Sequence, residues 1–351
     1  MAADGIVLDP RLPTAPQRAC PGARVVQAQD WSHDDERVLL IETTGTDTSV
    51  LQVCDLASGK LTRLEPDAGT AAAGTRVTAA QFSRDGRGAY FVTTHGEDFA
   101  QLRYVDQYTR QAKVVARSSG ADIGQLLLSA DGRWLAWTVA EPGGDRLAVR
   151  DLTGQRDLAL APLPPGAIID RMAFDTSGTL LALGVESAQS ASEVLVYTLT
   201  APATWQAWTR SEQGPLPALP RTLPQPFAYA TWDSDERGAR QVPAWLYAPT
   251  GPGPHPVLVQ LPGGHGARWQ PRWDPLLQHL VTQQGWAVIA PHLRGSAGYG
   301  RAWQALDNGR LRDDPLRDLA ALLVWIGLQP DLDPRRVVLW GEGLGAHQAL
   351  S

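Results

Sequence analysis

Phe82-Ser83-Arg84-Asp85-Gly86 is one rendering of a phrase that recurs through the first two hundred residues and decides their fold. The others are Trp31-Ser32-His33-Asp34-Asp35, Leu128-Ser129-Ala130-Asp131-Gly132 and Phe174-Asp175-Thr176-Ser177-Gly178, spaced by 51, 46 and 46 residues. A second phrase follows in fixed register: Asp55-Leu56-Ala57-Ser58-Gly59, Asp106-Gln107-Tyr108-Thr109-Arg110 and Asp151-Leu152-Thr153-Gly154 begin 24, 24 and 23 residues after the first phrase opens. Two anchors in constant register mark a repeated structural unit.

The unit can be read from its parts. An apolar residue ends a strand, and Ser-x-Asp-Gly makes a tight turn in which glycine takes positive φ and aspartate bonds the backbone locally. A β-rich strand follows, such as Ala89-Tyr90-Phe91-Val92 or Trp134-Leu135-Ala136-Trp137, then a loop and a strand such as Leu102-Arg103-Tyr104-Val105. The second phrase turns the chain into a fourth strand. Four antiparallel strands per 45–50 residues describe a β-propeller blade, and residues 25–210 hold about four of them. Four blades are the low end for closure, so a partial propeller is expected. A β-sandwich with coincidental turns is the competing reading.

Composition agrees with a folded chain of about two domains in 351 residues. Hydrophobic residues make up 43% and charged residues 19%, enough apolar material for a core. The net charge of −6 and the lack of a basic block argue against a nucleic-acid partner. No apolar run is long enough to span a membrane. The first twenty residues lack an apolar signal core, which predicts a cytoplasmic protein. Cys20 and Cys54 alone supply neither a disulfide framework nor a metal cage, and no cofactor motif is found.

Residues 1–24 read as an N-terminal segment, and the proline-rich 211–226 as a linker. From 227 to 351 the pattern changes. Paired strands at 227–232 and 242–248 precede alternating strands and helices, the signature of a parallel α/β sheet. A buried strand, 256–261, runs into Pro262-Gly263-Gly264-His265-Gly266. Asp274 caps a helix with Pro275 at its first position and Leu276, Leu277, Leu280 and Val281 as its stripe. The strand 286–290 leads into Pro291-His292-Leu293-Arg294-Gly295-Ser296-Ala297-Gly298-Tyr299-Gly300. A second helix opens at Asp314-Pro315 with Leu316, Leu319, Leu322, Leu323 and Ile326 on one face. Asp333-Pro334-Arg335-Arg336 then turns into strand 337–340 and Gly341-Glu342-Gly343-Leu344-Gly345-Ala346.

Strand, Gly-x-x-x-Gly, helix is the layout of a nucleophile elbow, where flanking glycines let strand and helix approach closely. With the Arg-Gly-Ser-x-Gly-Tyr-Gly segment, residues 262–265 and 333–336, and the preceding blades, the chain resembles the prolyl oligopeptidase family of serine peptidases, nearest its acylaminoacyl-peptidase-like branch. The resemblance implies a β-propeller followed by an α/β-hydrolase domain, here its N-terminal part only. It also implies hydrolysis of peptides, with the propeller restricting access of large substrates. Three departures stand out. Pro262-Gly263-Gly264-His265 replaces the family's His-Gly-Gly-Pro, His292 stands where Asn is frequent, and Gly343 holds the nucleophile position.

Glycine has no Oγ, so acyl transfer through residue 343 is impossible, while its backbone takes the strained turn without steric cost. What the family pattern leaves is an oxyanion hole, with the Leu344 N–H and a donor near Gly264 as candidates. The order Ser, Asp, His in this fold places the other triad members beyond residue 351. The chain therefore reads as a fragment of a longer product or as a truncated pseudoenzyme completed by a partner. His347 reads as an ordinary helix residue, and His265 as a shaper of the oxyanion loop. The expected function is a serine-type peptidase by family, impaired at residue 343, with a peptide as substrate or ligand. The alternatives are a non-catalytic peptide-binding propeller protein and an esterase on the same fold.

Overall fold

The structure is a computed structural model that describes residues 6–7, 17–18, 20, 22, 26–45, 47–64, 74–200, 204–211, 221–264 and 266–351. Most of segment 1–24, most of the 211–226 stretch and His265 lie outside the described residues. The chain divides into two compact units. The first comprises Met1–Leu163, Met172–Ala182 and Val196–Trp205; the second comprises Pro164–Arg171, Leu183–Leu195 and Gln206–Ser351.

In the first unit a short pair, β1 (Ile6–Val7) and β2 (Gln17–Arg18), precedes three antiparallel four-stranded meanders. These are β3 (Val26–Trp31), β4 (Arg37–Gly45), β5 (Thr48–Asp55) and β6 (Leu61–Arg63); then β7 (Val77–Phe82), β8 (Gly88–Thr93), β9 (Gln101–Asp106) and β10 (Ala112–Ala116); then β11 (Ile123–Leu128), β12 (Trp134–Glu141), β13 (Gly144–Asp151) and β14 (Arg156–Asp157). A fourth sheet of β15 (Ile168–Phe174), β16 (Leu180–Ser187), β17 (Ser190–Thr198) and β18 (Trp205–Ala207) is cut by the division between units.

The repeated phrases are repeated hydrogen bonds. Ser32, Ser83 and Ser129 each donate their hydroxyl to the aspartate two residues on, at 2.5, 2.6 and 2.5 Å. Each serine oxygen also accepts the backbone N–H five residues on, from Arg37, Gly88 and Trp134, at 2.8–3.0 Å. In the fourth copy the two residue types trade places. Asp175 accepts the Leu180 N–H at 2.7 Å and the Ser177 hydroxyl, so the turn survives with its donor and acceptor exchanged. The glycine position has positive φ throughout: 62° at Gly86, 74° at Gly132 and 67° at Gly178, with Asp35 taking 58° in the first copy.

Successive sheets pack face to face. Leu39, Ile41, Leu51 and Val53 of the first sheet bury against Ala80, Phe82, Phe91 and Val105 of the second. Val92 and Leu102 of the second bury against Ile123, Leu135 and Trp137 of the third. A polar link recurs beside this packing. The residue preceding the first phrase accepts the backbone N–H of the equivalent strand in the next sheet: Asp30 from Phe82 at 2.8 Å, and Gln81 from Leu128 at 2.6 Å.

Two cysteines cannot make a framework, but they make a single bridge. Cys20 and Cys54, the chain's two cysteines, are bonded to each other with Cα atoms 6.1 Å apart. Both are buried, among Val38, Leu40 and partly buried Val26, Leu56 and Leu61. Cysteine spacing could not reveal the pair, because its members lie 34 residues apart and meet only in the folded unit.

The second unit is built on a five-stranded sheet in the order β19-β20-β22-β21-β23. Its strands are β19 (Gln225–Asp235), β20 (Gly238–Tyr247), β21 (His255–Leu261), β22 (Ala287–Pro291) and β23 (Leu332–Gly341). β19 and β20 form an antiparallel hairpin, β20 pairs antiparallel with β22, and β21 runs parallel to both β22 and β23. The helices are α1 (Pro275–Thr282), α2 (Arg301–Gln304), α3 (Asp314–Gly327) and α4 (Leu344–Leu350). Asp274 caps α1 as its sequence predicts, accepting the Leu277 N–H at 3.0 Å.

One face of the sheet buries Val257, Val259, Ala287 and Ile289 with Leu319, Leu322 and Ile326 of α3. The other buries Tyr247, Leu258 and Val288 with Leu277 and Val281 of α1. Leu276 and Leu323, assigned to the buried stripes from the sequence, turn outward and are exposed. Each adjoins a buried leucine, and helical geometry carries one of two consecutive leucines off the core face. Buried Gln278 instead donates to the carbonyls of Ala188 and Thr222 and accepts the Thr222 N–H. Among the described residues no helix is long and apolar enough to cross a membrane.

Candidate active site at the elbow

Parallel pairing of β21 with β23 places Leu261 opposite Gly341. The loops that leave these strands are therefore neighbours at the carboxyl end of the sheet, where open α/β sheets bind ligands. Gly341 and Gly345 are required by contact. A Cβ on Gly341 would lie 2.5 Å from the Gly345 carbonyl carbon, and one on Gly345 would lie 2.7 Å from the Leu261 carbonyl oxygen. Between them Gly343 adopts φ 53° and ψ −120°, backbone angles that strain any residue with a Cβ. α4 begins at once, with the His347 N–H donated to the Gly343 carbonyl at 3.2 Å.

The tight turn between β23 and α4 thus has a strained backbone at its centre and no side chain at residue 343. The Leu344 N–H is directed to the Gly263 carbonyl oxygen at 3.0 Å. Gly264 lies on the same loop, where its carbonyl accepts the Ala267 N–H at 3.1 Å. A cavity of about 590 Å³ opens beside the elbow, bounded by Gly263, Arg268, Trp269, Trp273, Trp340 and Glu342 among others.

Three of the described histidines are placed as follows. His347 is exposed on α4, its ring 3.4 Å from the Ser351 hydroxyl at the end of the same helix. His255 hydrogen-bonds the Gly285 carbonyl at 3.0 Å. His292 is 2% exposed, and neither ring nitrogen has a hydrogen-bond partner. Burial, aided by the nearby Arg268 charge, pushes its pKa down to about 3, so the ring is neutral at any ordinary pH. It rests edge-on against Tyr299, with ring centroids 5.0 Å apart.

The segment 291–300 is fixed by a charge network that sequence reading did not assemble. Arg294 is 3% exposed and makes a two-pronged pair with Asp318 of α3, Nε to Oδ2 at 2.8 Å and Nη2 to Oδ1 at 2.7 Å. Its Nη2 also reaches Asp233 of β19 at 2.9 Å, and Asp233 accepts from Arg240 at 2.9 Å. The Arg294 N–H and the Thr231 hydroxyl complete the shell of Asp318 at 3.2 and 2.7 Å. Burial opposes the Arg294 charge, yet the two carboxylates outweigh it and raise its pKa. Trp232 lies against two guanidinium groups, Arg294 at 4.9 Å and Arg317 at 4.6 Å from its ring centroid. Asp233 and Asp318 carry no local sequence signal, since their partners lie 61 and 24 residues from them. At the loop's own turn, Gly295 has φ 92°, and a Cβ there would lie 2.3 Å from the Asp307 carboxyl carbon.

Residues 272–350 match the model of the prolyl oligopeptidase family. The match spans the α1 helix, the 291–300 loop and the elbow. Over that segment the chain is similar to the family.

Solved structures share the fold. A puromycin-hydrolyzing peptidase from Mycobacterium tuberculosis superposes with a TM-score of 0.77 at 18% identity, over 96% of this chain and 52% of that one. A puromycin hydrolase gives 0.76 at 19% identity, over 93% and 50%. Oligopeptidase B from Trypanosoma brucei gives 0.70 at 14% identity, over 92% and 46%. The chain spans about half the length of the solved relatives it matches. At these identities the likeness is one of fold.

Proposed function

We propose that this prolyl oligopeptidase family chain binds peptides and does not hydrolyse them through its elbow. One observation carries the reading: Gly343 occupies the elbow with the backbone angles of a nucleophile position and offers no nucleophile. A covalent acyl intermediate needs an activated side-chain oxygen or sulfur, and a peptide backbone supplies neither. Peptide as the ligand is supported by the similarity to peptidases, one of them solved with covalently bound antipain. It is further supported by the tryptophan-walled cavity beside the elbow, whose volume falls within the roughly 300–1,000 Å³ usual for ligand pockets. The repeated four-stranded sheets serve in this reading as propeller blades that screen ligands by size.

A fluorophosphonate probe tests the catalytic half. No covalent adduct on this chain is expected, and an adduct would overturn it. Calorimetry with short peptide pools tests the binding half, which fails if no heat of binding is found at millimolar peptide.

The compartment is proposed from the cysteine pair, which bears against the cytoplasmic expectation. A bonded cysteine pair persists in oxidising surroundings and is rare where glutathione keeps thiols reduced, so Cys20–Cys54 favours an oxidising compartment.

A further inference from the structure

We infer that the elbow is closed by the chain's own loop, with the Gly263 carbonyl oxygen standing in the oxyanion position. The inference rests on reading residues 341–345 as an elbow and adds how that elbow is kept shut. In a working site the N–H that follows the nucleophile points at developing negative charge on a substrate oxygen. Here that N–H, on Leu344, is held by the Gly263 carbonyl at 3.0 Å. The same oxygen lies 2.3 Å from where a Cβ on Gly343 would sit, far inside any real Cβ contact.

The two facts are one contact seen from both sides. The loop carbonyl can reach Leu344 only because residue 343 has no Cβ. The absence of a Cβ at residue 263 eases the approach from the other side: a Cβ there would crowd Glu342 Cγ at 3.0 Å and its carbonyl oxygen at 3.3 Å. Gly263 and Gly343 therefore form a mutual backbone lock between the ends of β21 and β23. The lock also settles the Leu344 N–H, which would otherwise be an unpaired donor at the start of α4.

Two consequences follow. A ligand carbonyl cannot reach the Leu344 N–H while the lock is made. Restoring a serine at 343 also cannot by itself rebuild the site, because the side chain and the Gly263 carbonyl compete for one space.

The test reads the lock directly in the full chain. In the unaltered protein a through-hydrogen-bond scalar coupling is expected between the Leu344 nitrogen and the Gly263 carbonyl carbon, with the Leu344 amide exchanging about a hundredfold slower than in an unstructured chain. Gly343→Ala should lower that protection at least about tenfold while the β21 amides of Val257 and Val259 keep theirs. Lack of the coupling together with an unprotected Leu344 amide overturns the inference, as does a folded Gly343→Ala variant with unchanged protection. If that variant does not fold, the coupling and exchange in the unaltered chain decide alone. Fluorophosphonate labelling would refute the non-catalytic reading without touching the exchange result, so the two can fail separately.

Discussion

Asp318→Asn isolates the interaction that fixes the 291–300 loop. Asp318 is fully buried and accepts four hydrogen bonds, three from Arg294 and one from Thr231. The amide keeps one acceptor oxygen and turns an NH₂ toward donors that need an acceptor. Arg294 then retains its charge in a buried setting with only Asp233 to balance it. Breaking a buried ion pair from one side costs about 3–5 kcal/mol, mostly from the charge left without a partner. Asp233 remains bonded to Arg294, so the lower end, about 3 kcal/mol, is expected. A unit of this size loses about 2–4 °C per kcal/mol, which converts the loss to a midpoint drop of about 6–12 °C. Urea unfolding followed by tryptophan fluorescence suits the measurement, because Trp232 lies against Arg294. A second variant combining Arg294→Met with Asp318→Leu should recover most of the loss, since apolar replacement of a buried pair is often neutral. A single-variant loss below about 1 kcal/mol would refute the reasoning, because it would mean that the pair contributes no more than an exposed one.

Three further outcomes are expected. His292 is neutral in the fold with a pKa of about 3 against an ordinary value of about 6.5, so the unfolded chain binds more protons between those pH values. Its contribution is complete above about pH 6.5 and falls as pH drops toward 3, by about 2 kcal/mol at pH 5, and His292→Phe should flatten the acid limb of stability against pH. Reducing Cys20–Cys54 frees a span of 34 residues and should cost about 4 kcal/mol by loop-closure entropy, read as a lower urea midpoint of the first unit with dithiothreitol. The turn carboxylates of Asp34, Asp106 and Asp175 are held at about 2 chiefly by bonds from Ser32, Arg87 and Ser177. Their contribution is present above the unfolded value of about 3.9 and is lost as pH falls through about 2, so carboxyl NMR titrations should show these three among the last to protonate.

Much of the fold was legible because its determinants are local. The Ser-x-Asp-Gly phrases bond residues two and five positions apart, so their recurrence announced the sheets, and even the exchange at Asp175 and Ser177 keeps the same short-range pattern. Asp274-Pro275 opens α1 for the same reason. The strand, glycine-rich turn and helix over 332–350 were equally visible, since they are contiguous in sequence.

What tertiary structure decided are the contacts between chain segments that sequence does not order. Cys20 meets Cys54 across 34 residues, and Arg294 finds Asp233 and Asp318 only when β19 and α3 pack beside its loop. The same holds at the elbow. Sequence could say that Gly343 brings no nucleophile; only the parallel register of β21 with β23 sets the Gly263 carbonyl against the Leu344 N–H, because that register alone brings the two loop ends together.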